Sequence, residues 1–367
     1  MPWLAILALG LASLAFITAI GLLVRGALYR PRRPLILVVA ERRDHVSDLF
    51  TIRLRRTWIW RWLPLPRFVA GQSVAVSFPG ETLKRRYSIA RWQALPFSYE
   101  LTIKREAYGR LSSRLADEAR CGTRLAVGRP DGRFSLPSNP AAHRAIFIAG
   151  GVGITPLLAM LDQWASMRHS YSEAHLYWQV RHEQEAIYRD VLLMLTKRSP
   201  ALQVRLLVSR PQQGHPERIS VELLRAELGA FSHTDFYLCA GTGLLESLLA
   251  GLRAAGIADA ALHFERFALG PADTAQDWSI HYQDRQFSAA GHASLLDAIE
   301  SQGLPIDSDC RTGSCGRCLL AVEDGQAKHR VVPECVVAPG QVLACCAVPL
   351  SDVRLRAATN VVTAMGA

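Results

Sequence analysis

The sequence predicts a multidomain chain: an N-terminal transmembrane helix, an antiparallel β-barrel, an α/β domain built on a parallel sheet, and a small α+β domain. Three observations predict it. Met1–Val24 holds no charged side chain. Near Pro137–Pro140 the pattern changes from short β-like runs to strands alternating with helices. Beyond that lies a cluster of cysteines in a region where the charge reverses: residues 273–352 hold 5 Lys+Arg and 11 Asp+Glu, whereas residues 1–272 carry a net +14.

The 24-residue run is long enough to cross about 30 Å of hydrocarbon as one helix. It lacks the basic start of a secretory signal. It is also apolar all round, where a buried core helix would be striped. Arg25, Arg30, Arg32 and Arg33 follow it, so the positive-inside rule places the rest of the chain in the cytoplasm. Residues 1–34 are thus expected to be a single-pass inner-membrane anchor, with the lipid bilayer as a partner. The net charge of +10 fits an anionic membrane surface. Nucleic acid is not expected, because no zinc-finger, helix-turn-helix or aromatic RNA-binding motif accompanies the charge. With 50% hydrophobic and 20% charged residues the chain is not disordered, and its 8 cysteines are too sparse for a disulfide-stapled secreted module.

Residues 35–140 are expected to form the barrel, from β-like runs at 35–40, 50–54, 73–78, 99–104 and 124–127 separated by turns such as Pro79-Gly80 and Asp131-Gly132. One stretch stands apart. In Arg55–Pro64, Trp58, Trp60 and Trp62 would share one face of a strand. That face suits a membrane interface or a docking surface, and equally the inside of the barrel. Residues 141–272 read as a doubly wound α/β unit, with buried strands at 145–149, 174–179, 204–208 and 236–239 and helices near 156–168, 185–197, 220–228 and 243–255. Residues 277–356 begin with a hairpin and a short helix, Ser294–Gln302.

The most specific chemical signal is Cys310-x4-Cys315-x2-Cys318 followed by Cys345-Cys346. A tight loop of three thiolates with a distant fourth is the spacing that holds a [2Fe–2S] cluster. Gly313 and Gly316 let backbone amides turn toward the sulfides. A zinc ribbon would pair two C-x2-C knuckles, and only one is present. The run Asp309–Cys318 resembles the plant-type ferredoxin loop, and Leu343–Pro349 resembles the segment bearing its last ligand, in the register Leu-x-Cys-x-Ala-x-Pro. This resemblance spans residues 277–356 and implies a β-grasp fold. It names Cys310, Cys315, Cys318 and Cys345 as the metal ligands, with Cys345 preferred over Cys346 and Cys335.

Arg85-Arg86-Tyr87-Ser88 offers a cation for phosphate, a ring to stack on isoalloxazine and a hydroxyl for its N5. Together with Gly109-Arg110-Leu111-Ser112 and Pro130-Asp131-Gly132-Arg133-Phe134, it is similar to the flavin domain of the ferredoxin–NADP reductase superfamily. The resemblance implies that Arg85, Tyr87, Ser88, Gly109 and Ser112 contact the flavin. Gly150-Gly151-Val152-Gly153-Ile154-Thr155-Pro156 follows a buried strand. Its glycines permit close phosphate approach, Thr155 is expected to cap a helix starting at Pro156, and that helix end favours a diphosphate. This loop resembles the nicotinamide-nucleotide loop of the same superfamily, and Phe236–Gly241 its second nucleotide segment, which puts Cys239 near the nicotinamide. An ordinary buried cysteine is the other reading. Glu265 and Phe267 match the ending of that domain, with Glu265 a candidate at the reacting atoms. Ser209-Arg210 resembles a pair that binds a 2′-phosphate, and NADH and NADPH both stay open.

The chain as a whole is similar to flavin- and iron–sulfur-dependent oxygenase reductases. The resemblance implies hydride transfer from NADH or NADPH to a flavin, FAD in preference to FMN, with Tyr87, Ser88, Cys239 and Glu265 at the reacting atoms. Single electrons would then pass to the [2Fe–2S] cluster and on to a membrane-associated oxygenase, hydroxylase or desaturase. The expected runner-up is a quinone-linked NADH reductase, in whose anchored relatives the ferredoxin precedes the flavin domain, the reverse of the order here. A non-catalytic redox sensor is the reading from another class.

Overall fold

The computed structural model of the chain describes residues 34–46, 48–106, 110–137, 142–166, 171–266, 276–333 and 335–358. The expected anchor over residues 1–24 lies outside them. Among the described residues no helix is long and apolar enough to cross a membrane. The longest, Ile154–Ser166 and Thr242–Ala254, have 13 residues each, about 20 Å at the helical rise; the first is buried nearly all round and the second buries one face. The inner-membrane placement, with the bilayer as partner, is corrected on this finding.

Six strands make the first sheet: β1 (Leu35–Asp44), β2 (Leu49–Arg56), β3 (Ser73–Ser77), β4 (Arg85–Ser88), β5 (Ser98–Lys104) and β6 (Arg124–Val127). Their order is β4-β3-β6-β1-β2-β5. Just past β4, the Ala90 N–H donates to the Glu100 carbonyl of β5 at 2.9 Å, joining the two edges into a barrel-like closure. Alternate residues point inward, so Leu37 and Val39 of β1 and Ile52 and Leu54 of β2 are buried while Val38 is only half-buried.

Helix α1 (Arg110–Glu118) buries Leu111 and Leu115, four residues apart. It is tied to β1 through Arg42 Nη1, which donates to the Leu115 and Ala119 carbonyls at 3.1 and 2.8 Å. The tryptophans are not on a strand. Trp58–Trp60 form a 3-10 turn, and Trp58, Trp60 and Trp62 are 79%, 47% and 64% exposed, which removes the barrel-core reading.

The second sheet is all parallel. It contains β7 (Arg144–Gly150), β8 (Glu173–Val180), β9 (Leu202–Val208), β10 (Thr234–Ala240) and β11 (Leu262–Arg266) in the order β11-β10-β7-β8-β9. Helices α2 (Ile154–Ser166), α3 (Arg189–Arg198), α4 (Val221–Leu228) and α5 (Thr242–Ala254) cover it. Two apolar cores result, one containing α2 and α3 residues and the other α4 and α5 residues. A strand covered on both faces must be apolar throughout, and Ala145–Ala149 of β7 are all fully buried. The strand order reverses between β7 and β10, which opens a crevice at their C-terminal ends.

The third sheet orders β13 (Arg285–Ser288), β12 (Ser279–Tyr282), β18 (Val353–Ala357), β14 (Leu319–Asp324) and β16 (Gln341–Leu343), with only β12 and β18 parallel. A two-stranded ribbon pairs β15 (Ala327–His329) with β17 (Ala347–Pro349). Helix α6 (Leu295–Ser301) is capped by Ser294, whose side chain accepts the Asp297 N–H at 3.2 Å, and lays Leu295, Leu296, Ala298 and Ile299 into the core.

One ion pair joins the barrel to the parallel sheet. Arg91 donates to Asp162 of α2 at 2.6 and 3.2 Å, and the same carboxylate accepts the Trp92 N–H at 3.2 Å. Asp162 is 5% exposed, and its burial raises its pKa against the pull of Arg91. Arg91 keeps part of its guanidinium in water, so Asp162→Ala is expected to cost about 2–3 kcal/mol in denaturant unfolding and Asp162→Asn less.

Candidate active site and cluster loop

The loop between α6 and β14 is shaped by its left-handed residues. Arg311, Gly313 and Gly316 have φ of 62°, 87° and 72°. Arg311 stands at its non-glycine position because its guanidinium is held by Asp297 at 3.1 Å and by Glu300 at 2.7 Å. The turned backbone aims three N–H groups at Cys310 Sγ, from Thr312 at 3.5 Å and from Ser314 and Cys315 at 3.3 Å. Cys345 N–H donates to Cys318 Sγ at 3.4 Å.

The four thiols form a chain of contacts, Cys315 with Cys310, Cys310 with Cys345 and Cys345 with Cys318. Contacts from Cys315 and Cys345 drive the Cys310 thiol far below its ordinary range, while Cys345, the donor, is driven far above it. Cys346 touches the Cys345 thiol and also donates to the Leu343 carbonyl at 3.7 Å, while Cys335 donates to the Gly313 carbonyl at 3.7 Å. Four converging thiols ringed by N–H donors fit a [2Fe–2S] cluster. Among the described residues no three or more His, Cys, Asp or Glu side chains are set around one metal ion, and a binuclear cluster asks only two thiolates of each iron.

On β4 the four motif residues have different surroundings. Tyr87 Oη is buried without a hydrogen-bond partner, and burial pushes its pKa well up. An orphaned hydroxyl of this kind fits a missing polar ligand such as a flavin. Ser88 is 6% exposed, and its Oγ donates to Glu265 Oε2 at 3.4 Å. Arg85 donates to the Lys84 carbonyl at 2.9 Å and lies 3.7 Å from Glu300. Burial, then repulsion from Arg311, pushes its pKa down to about 10. Ser112 sits in the first turn of α1, where its Oγ accepts the Glu106 N–H at 3.2 Å. Gly109 and Phe267 lie outside the described residues.

The nucleotide loop occupies the crevice at the switch point. A Cβ on Gly150 would stand 2.8 Å from Ala240 Cβ, and Gly151 has φ +55°. Trp178 Nε1 fixes the loop by donating to the Gly151 carbonyl at 2.9 Å. The expected cap is displaced. Gly151–Gly153 form a 3-10 turn and α2 begins at Ile154, so Thr155 and Pro156 fall within its first turn. Thr155 Oγ1 donates back to the Val152 carbonyl at 3.0 Å. A close-packed turn opening onto a helix N-terminus still fits a dinucleotide diphosphate.

Cys239 is fully buried, in register with Ala149 on one side and Glu265 on the other, and burial and then the Glu265 charge hold its thiol protonated. Ser88, Glu265 and Cys239 are therefore brought together. Ser209 spends its hydroxyl on the Val180 carbonyl at 3.2 Å, while Arg210 is exposed and its N–H donates to the Arg181 carbonyl at 2.8 Å. Sequence reasoning gave no task to Arg181, exposed just past the end of β8. It also gave no task to Arg86.

Comparison with known proteins fits this arrangement. Residues 147–248 match the oxidoreductase NAD-binding domain, and residues 280–350 match the 2Fe-2S iron-sulfur cluster binding domain. The phenoxybenzoate dioxygenase subunit beta of Ectopseudomonas oleovorans is 30% identical over 270 residues, covering 72% of this chain and 79% of that protein. The chain belongs to the ferredoxin–NADP reductase superfamily, with the oxygenase reductases that carry a C-terminal [2Fe–2S] domain.

The vanillate O-demethylase oxidoreductase of Pseudomonas putida is 28% identical over 293 residues, 78% of this chain and 87% of that protein. The solved structure of a phthalate dioxygenase reductase superposes with a TM-score of 0.66 at 23% identity, covering 88% of this chain and 98% of that one, and shares the fold. The reductase is an NAD(P)H oxidoreductase that moves electrons through a flavin and a [2Fe–2S] cluster to an oxygenase.

The tight Gly150 contact yields a prediction. Gly150→Ala must push the β7 and β10 ends apart, and it is expected to lower stability by about 1–3 kcal/mol and raise the KM for nicotinamide nucleotide. Thermal unfolding and steady-state kinetics check the two effects.

Proposed function

We propose that hydride transfer occurs where Ser88, Glu265 and Cys239 converge, and that single electrons leave through the thiols of Cys310, Cys315, Cys318 and Cys345. The contact from Ser88 to Glu265 carries this reading, because it joins the barrel to the nucleotide sheet at the crevice. Gly150, Gly151, Gly153, Thr155 and Pro156 would receive the diphosphate of NADH or NADPH at the start of α2, with Arg181 and Arg210 at its ribose end. Arg85 would pair with the flavin phosphate, and Tyr87 and Ser88 would hold its ring. The flavin is FAD on the resemblance of Gly109–Ser112, with FMN the alternative on the same residues.

When bound, the flavin supplies the exchange between a two-electron donor and a one-electron acceptor. The chain's own residues orient and exclude. Glu265 accepts the Ser88 hydroxyl proton and so aims that oxygen. Cys239 closes the crevice floor with a neutral, apolar thiol. The acceptor is proposed to be a terminal oxygenase, in keeping with the relatives. The acidic 273–352 segment favours a basic docking face on it.

The test is the purified holoenzyme, anaerobic, mixed with NAD(P)H while flavin and cluster absorbance are followed. Glu265→Gln is expected to slow flavin reduction roughly 10- to 100-fold without loss of bound flavin. Unaltered flavin reduction in that variant would remove Glu265 from the site. Cys345→Ser is expected to abolish the cluster spectrum and iron content, whereas Cys346→Ser keeps both. A surviving cluster in the first variant would move the fourth ligand elsewhere.

A further inference from the structure

Arg86 is the most heavily bonded side chain of β4, yet no part of the hydride site uses it. Its Nε donates to Ser73 Oγ at 2.9 Å, and its Nη2 donates to the Ser73 and Asp131 carbonyls, both at 2.8 Å. These three bonds fix the guanidinium on the barrel wall and leave Nη1 pointing outward. That group donates to both carboxylate oxygens of Asp309, at 3.3 and 3.2 Å. Asp309 directly precedes Cys310. The two side chains are only 16% and 10% exposed, so the pair sits in a medium where charge attraction exceeds its value in water. Weaker ionic contacts flank it: Arg85 lies 3.7 Å from Glu300, and Arg110 Nη1 donates to the Glu300 carbonyl at 3.3 Å.

We propose that the Arg86–Asp309 bridge positions the cluster loop against the flavin strand and so sets the rate at which single electrons cross from flavin to cluster. Arg86 and Asp309 are positioning residues. Neither is placed on the flavin, the nucleotide or an iron. The inference rests on the proposed function, in which Tyr87 and Ser88 hold the flavin. Each crossing removes one electron from the reduced flavin and makes one ferric ion of the cluster ferrous, and NAD(P)H supplies the electrons.

Geometry makes the bridge suited to this. Arg86 directly precedes Tyr87 and Asp309 directly precedes the first thiol of the loop, so the bond joins the two segments one residue from the groups they carry. Because Arg86 is locked by Ser73 and Asp131, the loop is referred to the barrel wall and not to a mobile side chain. Electron transfer falls steeply with separation, so a loop set even slightly off loses rate while hydride transfer, on the other neighbour of β4, is untouched.

The experiment compares holoenzymes of the wild type, Arg86→Ala, Arg86→Lys, Asp309→Asn and the exchange Arg86→Asp with Asp309→Arg. Flavin and iron contents are measured first, and Arg86→Lys and Asp309→Asn preserve side-chain size in case the alanine variant fails to fold. In stopped flow, flavin reduction by NAD(P)H is expected to stay within about twofold, and cluster reduction to slow about 10- to 100-fold, in the alanine and asparagine variants, with lysine intermediate. Small-angle scattering is expected to give a larger radius of gyration for those variants, and the exchange to restore both compactness and cluster reduction in part.

Cluster reduction at the wild-type rate in fully loaded Asp309→Asn, or slowing of flavin and cluster reduction by the same factor, would overturn the bridge. A wild-type holoenzyme that shows no NAD(P)H-dependent reduction of flavin would instead overturn the proposed function.

Discussion

β4 is four residues long, and one of its faces carries both Arg86 and Ser88. Arg86 reaches Asp309 beside the cluster loop, and Ser88 reaches Glu265 on the last strand of the nucleotide sheet. Residues two apart on a strand are about 7 Å apart. The pleat of a single strand therefore fixes how far the Ser88–Glu265 contact lies from the Arg86–Asp309 contact. Tyr87, between them, points to the other face with its hydroxyl unanswered by protein. β4 ends the hydrogen-bonded order of its sheet and is bridged to β5 only just past its end, at Ala90, so its side chains can meet partners from two domains.

The contacts between domains are of two kinds. Inside each domain, the sheets are held by apolar burial: β7 is sealed on both faces, and α6 sinks four side chains into the third core. The barrel and the nucleotide domain also share an apolar core, in which Ala70, Ala90, Phe134 and Leu136 pack with residues of α2 and the parallel sheet, and Arg91 with Asp162 adds a charged bond to it; toward the third domain, Arg86 with Asp309 and Arg110 with the Glu300 carbonyl make directional charged bonds. Charged contacts give orientation at little cost in separability, which suits modules that must sit in register and still admit an external electron acceptor.

The features legible in the sequence were those with local or periodic signatures. The buried run 145–149 reads as a strand because both faces are covered, and Gly150 is required by its close contact with Ala240. The thiol spacing 310, 315, 318 is read directly because the three cysteines share one loop. Helix α1 was missed since Leu111 and Leu115 are its only large buried residues, too few for a periodic pattern. The helix start was misplaced by two residues, at Pro156 instead of Ile154, because the 3-10 turn at Gly151–Gly153 runs straight into the helix and leaves Thr155 inside it. The tryptophans were read with a strand period where the chain makes a tight turn. Arg86 was unreadable for a different reason. Its partner is 223 residues away, and nothing in a four-residue motif announces a contact at that range.

The same loop that Arg86 anchors also tunes what it holds. Cys310 Sγ accepts three backbone N–H bonds, whereas Cys318 accepts one from Cys345. Hydrogen bonds to cluster sulfurs withdraw electron density and raise the reduction potential. Those donors exist only because Arg311 and Gly313 take left-handed backbone, and Arg311 keeps it through its pairs with Asp297 and Glu300 of α6. Glu300 in turn stands 3.7 Å from Arg85 on the barrel. The shape of the loop, the N–H bonds to its thiols and its contact with the barrel thus meet in one ionic network through Glu300.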